Sequence, residues 1–115
     1  MPHNSLPVHE VKANLFRVLG HPARVRILEV LRDGEQSVGA LQAELGLDSS
    51  GTSQHLAALR RIGLVHSRRE GTSVYYRVDD ERVFELLSTA RDIISRQLTE
   101  QQSILVELTP RNAKR

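Results

Sequence analysis

The stretch DSSGTSQHLAALRRIGLV, from Asp48 to Val65, decides the fold because it predicts a helix with an unusual beginning. Its first positions hold middling or poor helix formers, and regularly spaced apolar residues appear only afterwards. These first residues are Ser49, Ser50, Gly51, Thr52 and Ser53. A helix that needed only stability would begin with better helix formers, so this beginning indicates a surface with another purpose.

The two sides of this predicted helix, residues 49–62, differ in chemistry. At about 100° per residue, the side that we assign to the core carries Thr52, Leu56, Leu59 and Ile62. The opposite side carries Ser50, Gln54, Ala57 and Arg61, with Ser53 nearby. The outward side is therefore small and hydrogen-bonding near its start and cationic at its end.

Such a surface suits a helix that enters the major groove of DNA. Small residues let the backbone approach, hydroxyl and amide groups hydrogen-bond to base edges, and the positive helix start attracts phosphate. Gln54 is the best single candidate for base contact, because its amide can form two hydrogen bonds with adenine. The simpler alternative is capping, but one capping serine stabilises a helix by only about 1 kcal/mol. The four hydroxyl residues within positions 49–53 exceed that need.

Three shorter helices are predicted before this one. Apolar spacing predicts the first helix over residues 6–19. Pro22 suits the first position of a second helix, which ends near residue 33. Ser37 is expected to cap a short third helix, and Gly46 is expected to stop it in the left-handed conformation.

A β-hairpin is predicted after it, and we call residues 64–78 the wing. Two strands, residues 64–69 and 73–78, flank a turn that contains Gly71. Alternation predicts three inward residues, which are Val74, Tyr76 and Val78. The tip is basic and polar through Arg68, Arg69, Thr72 and Ser73. We expect this tip to contact DNA backbone or minor groove, the alternative being a solvated turn.

The order of elements predicts a mainly α fold with a small β-hairpin wing, a winged helix-turn-helix of order α-α-α-α-β-β-α. Asp79 or Asp80 is expected to cap a final helix over residues 81–108. We predict a single domain over residues 1–110 that dimerises through its terminal helices, followed by a basic tail over residues 111–115.

Charge distribution favours a polyanionic partner. The segment from Ser49 to Arg77 contains five arginines and one acid, a net charge of +4, whereas the rest of the chain sums to −2. A solvated basic surface is the alternative. The chain has only two phenylalanines, two tyrosines and no tryptophan, which disfavours single-strand binding by base stacking, so duplex DNA is the expected partner.

Several function classes are excluded or disfavoured by composition. The chain has no cysteine, which excludes disulfides, thiolate metal sites and cysteine nucleophiles. It shows no long apolar run and no secretion signal, so we expect no membrane contact and a cytoplasmic location. It also lacks metalloprotease, phosphate-loop and serine-hydrolase motifs, so we expect no enzymatic activity.

Three motifs together resemble the ArsR/SmtB family of bacterial transcriptional regulators. They are LGHPARVRILEVL from Leu19, SVGALQAELGLDSSGTSQHLAALRRIGLV from Ser37 and RREGTSVYYRV from Arg68. The three occur in the family's order and spacing, and the match extends over about residues 15–98.

The resemblance implies a homodimeric repressor whose two recognition helices bind an inverted-repeat operator. Half-sites on a two-fold operator lie about one DNA turn apart, roughly 10–11 base pairs. The start of the recognition helix matches the family's DNA-contacting positions, the His55-Leu56 pair matches its HL pair, and residues 68–73 match its wing. Together with the outward side of the helix, they predict DNA contacts by Ser49, Ser50, Ser53, Gln54, His55, Arg61, Arg68, Arg69, Thr72 and Ser73.

The last helix supports the dimer independently of the resemblance. Its stripe runs in alternating steps of three and four through the apolar residues Leu87, Ala90, Ile94, Ile104 and Leu108, with Gln97 and Gln101 at the intervening positions. The alternative is a stripe that packs on its own domain. The predicted dimer interface comprises Val11 and Leu15 of the first helix with Leu87, Ala90, Ile94, Leu98, Ile104 and Leu105 of the last.

The metal sites that the resemblance would bring are not kept. Ser37 and Gly39 stand at the positions of the Cys-x-Cys pair on the third helix. On the last helix Asp80 remains, but Arg82 replaces its histidine companion. Neither set can hold zinc, so we expect no metal there and no cofactor.

Two alternatives remain open. One is a sensor of the same family that binds Ni, Co or Zn through His3 and His9. The other is a winged-helix module for protein contact, which could dispense with the basic wing and the polar outward stripe. For the leading hypothesis, a small-molecule or protein effector is a possible additional partner.

Overall fold

The computed structural model describes the backbone of residues 6–108 and the side chains of residues 6–102. Its elements in chain order are α1 (Val8–Leu19), α2 (Pro22–Val30) with a 3-10 turn (Leu31–Asp33), β1 (Gln36–Ser37), α3 (Val38–Leu45), α4 (Ser49–Arg61), β2 (His66–Glu70), β3 (Ser73–Arg77) and α5 (Arg82–Leu108). The predicted mainly α winged helix-turn-helix is confirmed, with one additional short strand.

Local side chains explain where the short helices begin and end. Ser37 caps α3 as predicted, because its Oγ accepts a hydrogen bond from the Ala40 amide at 3.1 Å. Gly46 ends α3 in the left-handed conformation at φ 66°, which glycine adopts without steric cost. At the start of α2, His21 Nδ1 accepts a hydrogen bond from the Ala23 amide at 3.1 Å. The capping signals in the sequence therefore set these boundaries.

The sheet has three antiparallel strands in the order β1-β3-β2. The sequence prediction missed β1, in which Gln36 pairs with Tyr76 and Ser37 pairs with Tyr75. A strand of two residues is too short to show alternation, so no sequence pattern marks it. The wing strands are β2 and β3, joined by a turn at Gly71 with φ 63°.

The predicted inward alternation of Val74, Tyr76 and Val78 is wrong. All residues from 74 to 78 are half-buried, on both faces of β3. The physical reason on one face is Arg68, whose guanidinium lies 4.7 Å from the centre of the Tyr75 ring and covers it.

The core joins the apolar sides of the short helices and the start of the wing. Its fully buried side chains are Ile27, Leu28, Leu41, Thr52, Leu56, Leu59 and Val65. Thr52 is buried without loss of hydrogen bonding, because its Oγ1 donates to the Asp48 carbonyl at 2.9 Å. Ile62, also predicted for the core, is half-buried. The inward side of α4 thus anchors the helix and leaves its opposite side free.

The chain divides into two compact units. The first ends at Phe84, and the second begins at Glu85, within α5. Asp80 precedes α5 and accepts a hydrogen bond from the Arg82 amide at 3.0 Å, as the capping prediction proposed. The predicted domain limits, 1–110, and the tail at 111–115 extend outside the described residues and stay predictions. No helix in the described part of the chain has the length and apolar character needed to cross a membrane.

Candidate nucleic-acid interface

The outward side of α4 carries polar side chains that form no hydrogen bond or ion pair with other described residues. The predicted DNA-contacting residues on it are all exposed, and these are Ser49, Ser50, Ser53, Gln54 and Arg61. Among residues 6–102, none of their side chains has a hydrogen-bond or ion-pair partner. A polar surface without internal partners is available to bases and phosphates, so the structure leaves this side of α4 ready for a ligand.

Asp48, rather than a serine, caps α4. Its Oδ1 accepts a hydrogen bond from the Gly51 amide at 2.8 Å. A carboxylate at a helix start is also favoured by the helix dipole. The serines that follow are therefore not needed for capping, which weighs against the capping explanation of the serine-rich start.

The capping role of Asp48 and the absence of such a role for Ser50 predict different effects of alanine substitution on stability. Replacing Asp48 by alanine is expected to lower the free energy of unfolding by about 1 kcal/mol, because the cap is lost. Replacing Ser50 by alanine, the matched control, is expected to leave that free energy unchanged or slightly higher, since its hydroxyl has no partner among the described residues and alanine is the better helix former. Urea unfolding followed by circular dichroism measures both. Equal losses in the two variants would contradict the assignment of the cap.

The register of the wing separates its two neighbouring arginines. Arg68 pairs with Tyr75 and Arg69 pairs with Val74. Because successive side chains on a strand point to opposite faces, Arg69 shares a face with Val74, and Arg68 lies on the other face. Arg69 is exposed, and no described residue forms an ion pair with it.

An open cleft of about 480 Å³ brings the recognition helix and the wing together. It lies between the start of α3, α4 and the wing, and its lining is rich in hydroxyl groups. The lining residues are Ser37, Val38, Gly39, Ser53, Thr72, Ser73, Val74 and Tyr76. Three predicted DNA-contacting residues from two elements therefore border one concave surface.

Arg68 differs from the other predicted arginine contacts, Arg61 and Arg69, because protein groups already bind its guanidinium. Two of its nitrogens bind the Glu35 carboxylate at 2.8 and 2.7 Å, and a third binds Glu70 at 2.6 Å. The hydrogen bonds from Arg68 hold the pKa of the Glu35 carboxyl below its usual range, against the opposing effect of desolvation. Glu35 was not predicted as part of the site, and no sequence signal marks it.

His55 is held by α2. Its Nδ1 accepts a hydrogen bond from Arg24 Nε at 3.2 Å, and its ring centre lies 4.3 Å from that of His21. Burial lowers the pKa of the His55 imidazole, and the charges of His21 and Arg24 lower it further. The predicted DNA contact by this half-buried residue stays a prediction.

The lowered pKa of His55 gives a direction for the pH dependence of stability. The unfolded chain takes up this proton first, so the free energy of unfolding falls as the pH drops from the ordinary value of 6.5 through the lowered pKa. Replacing His55 by glutamine, whose carbonyl oxygen can still accept from Arg24, is expected to flatten this part of the curve. Thermal unfolding of both proteins between pH 8 and 5 tests it; superimposable pH profiles would contradict the assignment.

The charge available to a polyanion is smaller than the sequence count. Asp79 compensates the charge of Arg77 at 2.8 Å, whereas Arg60 donates to the neutral Ser67 hydroxyl at 3.3 Å and keeps its charge. With Arg68 also engaged, Arg61 and Arg69 are the two arginines of the basic segment without a described partner. They lie at the end of α4 and on the wing.

The possible metal ligands are not gathered into a site. Residues 6–102 contain no group of three or more histidines and carboxylates able to hold a metal ion. The Asp80 carboxylate binds Arg82 Nε and Nη2 at 3.0 and 2.8 Å, which lowers the pKa of Asp80 to about 2. His9 is exposed on α1, and His3 lies outside the described residues, so metal binding through this pair stays an untested alternative.

Two helices present exposed apolar side chains at the predicted dimer positions. Val11 on α1 is 54% exposed, and Ile94 and Leu98 on α5 are both 52% exposed. Leu15 and Leu87 are half-buried, and Ala90 is exposed. The side chains of Ile104 and Leu105 lie outside the described residues. Ile94 and Leu98 are four residues apart and therefore share one face of α5.

Comparisons with known proteins agree with this architecture. A family model described as a helix-turn-helix domain matches residues 19–68. The HTH-type transcriptional regulator Rv0081 of Mycobacterium tuberculosis is 42% identical over 105 residues, which cover 90% of this chain and 92% of that protein. Its crystal structure superimposes with a TM-score of 0.77 at 43% identity, over 84% of this chain and 98% of that chain.

Two further relatives are informative. The biofilm growth-associated repressor of Agrobacterium fabrum is 37% identical over 86 residues, covering 71% of this chain and 74% of that protein. The solution structure of Mb0332 from Mycobacterium bovis has a TM-score of 0.69 at 32% identity, over 87% of this chain and 95% of that chain. It is described as a homodimeric winged helix-turn-helix DNA-binding domain and a possible ArsR-family regulator. This chain belongs to the ArsR/SmtB family of winged helix-turn-helix transcriptional regulators.

Proposed function

We propose that this protein is a sequence-specific repressor that binds duplex DNA as a homodimer at an inverted-repeat operator. The observation that carries the proposal is the outward side of α4, whose polar groups have no partner among the described residues. Neighbouring charged side chains such as Arg68 and Arg77 are paired with carboxylates. The chain thus satisfies the groups that its fold needs and leaves open those that suit a groove.

In the proposed complex α4 lies in the major groove and the wing lies beside it. Gln54 contacts base edges, and the serines at the start of α4 contact bases or phosphates. Thr72 and Ser73 border the same cleft as Ser53, so a DNA strand passing this cleft meets both elements. Arg61 and Arg69 supply charge for phosphates.

Dimerisation through α1 and α5 is part of the proposal. A second copy would cover the exposed apolar side chains of both helices, which otherwise remain in contact with water. Two recognition helices related by a two-fold axis then fit two half-sites about one turn of DNA apart, roughly 10–11 base pairs. The relative from Mycobacterium bovis, described as homodimeric, supports this arrangement.

Repression is the proposed outcome of binding, and the relative named as a repressor supports it. A small-molecule or protein effector that releases the DNA stays a prediction, because the contacts of the described residues identify none.

Selection from a pool of randomised duplexes with the purified protein tests the proposal. We expect enrichment of an inverted repeat with half-sites about 10–11 base pairs apart, and we call the enriched sequence the selected duplex. Placing the selected duplex over a reporter promoter should lower transcription when the protein is expressed. A pool without any enriched sequence would contradict the DNA-binding proposal and favour the protein-contact alternative. Increased reporter transcription would contradict repression but would leave the DNA-binding proposal intact.

A further inference from the structure

Arg68 reaches across one face of the wing sheet. Ser37 of β1 and Arg68 of β2 both pair with Tyr75 of the central strand, so the three residues form a row across the sheet. Glu35 immediately precedes β1, and its hydrogen bonds with Arg68 place its carboxylate on the same face of the sheet as Arg68. The guanidinium spans the row above the Tyr75 ring, 4.7 Å from its centre, and meets Glu35 beyond it.

The contacts along this row are geometrically well defined. The two Glu35 oxygens accept separate hydrogen bonds from Arg68, at 2.7 and 2.8 Å, in the paired arrangement that gives arginine–carboxylate contacts their directionality. Glu70 accepts a third at 2.6 Å, which fixes the guanidinium from the side of the turn. Only 28% of the Glu35 side chain is exposed. The row therefore ties the segment before α3 to the outer strand of the wing.

Arg69, the next residue, lies on the opposite face. Its strand partner Val74 lines the cleft that also contains Ser53 of α4. A wing that twisted or frayed would move Arg69 and the tip relative to α4, because they belong to the same two strands. Contacts that hold the Arg68 face of the wing therefore also orient Arg69 on the opposite face.

We infer that Arg68 is a positioning residue, which holds the wing against the Glu35 segment, and that Arg69 is the wing arginine that contacts a DNA phosphate. This inference rests on the proposed DNA-binding function. It reassigns Arg68, which the sequence prediction placed among the DNA contacts.

The direction in which one substitution changes the affinity for DNA distinguishes the two possible roles of Arg68. If Arg68 contacted DNA, Glu35 would compete with phosphate for the guanidinium, and Glu35→Gln would strengthen binding. If Arg68 positions the wing, Glu35→Gln removes its charged anchor and weakens binding. The two roles therefore predict opposite changes from the same variant.

The experiment measures affinity for the selected duplex over a salt series with wild type, Glu35→Gln, Arg68→Gln, the double variant and Arg69→Gln. We expect Glu35→Gln and Arg68→Gln each to weaken binding about threefold, with the double variant no weaker than either. Their dependence on salt should match that of wild type. Arg69→Gln should instead reduce the slope of log affinity against log salt by about two for the dimer.

Stronger binding by Glu35→Gln, or a reduced salt slope in Arg68→Gln, would overturn the inference. A readout without DNA keeps it independent of the proposed function: amide hydrogen exchange in β2 and β3 should be faster in Glu35→Gln and Arg68→Gln than in wild type. Arg68→Lys, which cannot form the paired contact, should be intermediate. Unchanged exchange in all three variants would overturn the positioning role. Failure of wild type to select any duplex would instead count against the proposed function.

Discussion

Replacing Gln54 by alanine is expected to weaken binding to the selected duplex on the order of 100-fold, while binding to a scrambled duplex stays unchanged. The side chain is exposed on the outward side of α4 and has no partner among the described residues. A glutamine that pairs with adenine contributes about 1–3 kcal/mol of discrimination, and the dimer loses this contact at both half-sites. Fluorescence anisotropy with labelled duplexes measures both affinities.

The matched control is Gln102→Ala, the same chemical change at an exposed position on α5. It should leave both affinities as they are in wild type. Loss of affinity for the scrambled duplex to the same extent would show that Gln54 contributes to general binding only. Full retention of selectivity would show that Gln54 contacts no base.

Replacing Ile94 by aspartate is expected to weaken the dimer by at least about 100-fold, because each protomer then places a charge in an apolar interface. Ile94 is 52% exposed in the single chain, so the change should leave the fold of the protomer intact. Analytical ultracentrifugation over a concentration series measures the dimer dissociation constant. Affinity for the selected duplex should fall as well, because a monomer contacts one half-site.

Thr89→Asp provides the matched control for the dimer prediction. It adds the same charge at an exposed position on α5, about 140° around the helix from Ile94. We expect this variant to remain a dimer. Dissociation of both variants to the same extent would point to a general effect of negative charge, and a stable Ile94→Asp dimer would place the interface elsewhere.

The elements that the sequence predicted well are those with a local physical cause. The periodic burial of Thr52, Leu56 and Leu59 gave α4 within one residue at its end, because helix periodicity is visible in a single window. Ser37 and Gly46 marked the ends of α3, since capping hydroxyls and left-handed glycines act within a few residues. Such features need no knowledge of the rest of the chain.

The parts of the site that the sequence did not reveal depend on long-range pairing. Arg68 and Arg69 are chemically identical neighbours, and only the register with β3 places them on opposite faces. Glu35 lies 33 positions before its partner Arg68, in a segment without periodicity. The basic charge of the wing was therefore visible in the sequence, but the sequence did not show which of its two arginines is free to contact DNA.

The measurement that tests the central claim most directly is the affinity of the wild-type dimer for the selected duplex and for a scrambled duplex of equal composition, between 50 and 200 mM salt. The account predicts that both affinities fall steeply with salt, since phosphate contacts release counterions. It also predicts that the selected duplex binds at least about 1,000-fold more tightly. Equal affinity for the two duplexes across the series would contradict the claim that the outward side of α4 recognises a sequence.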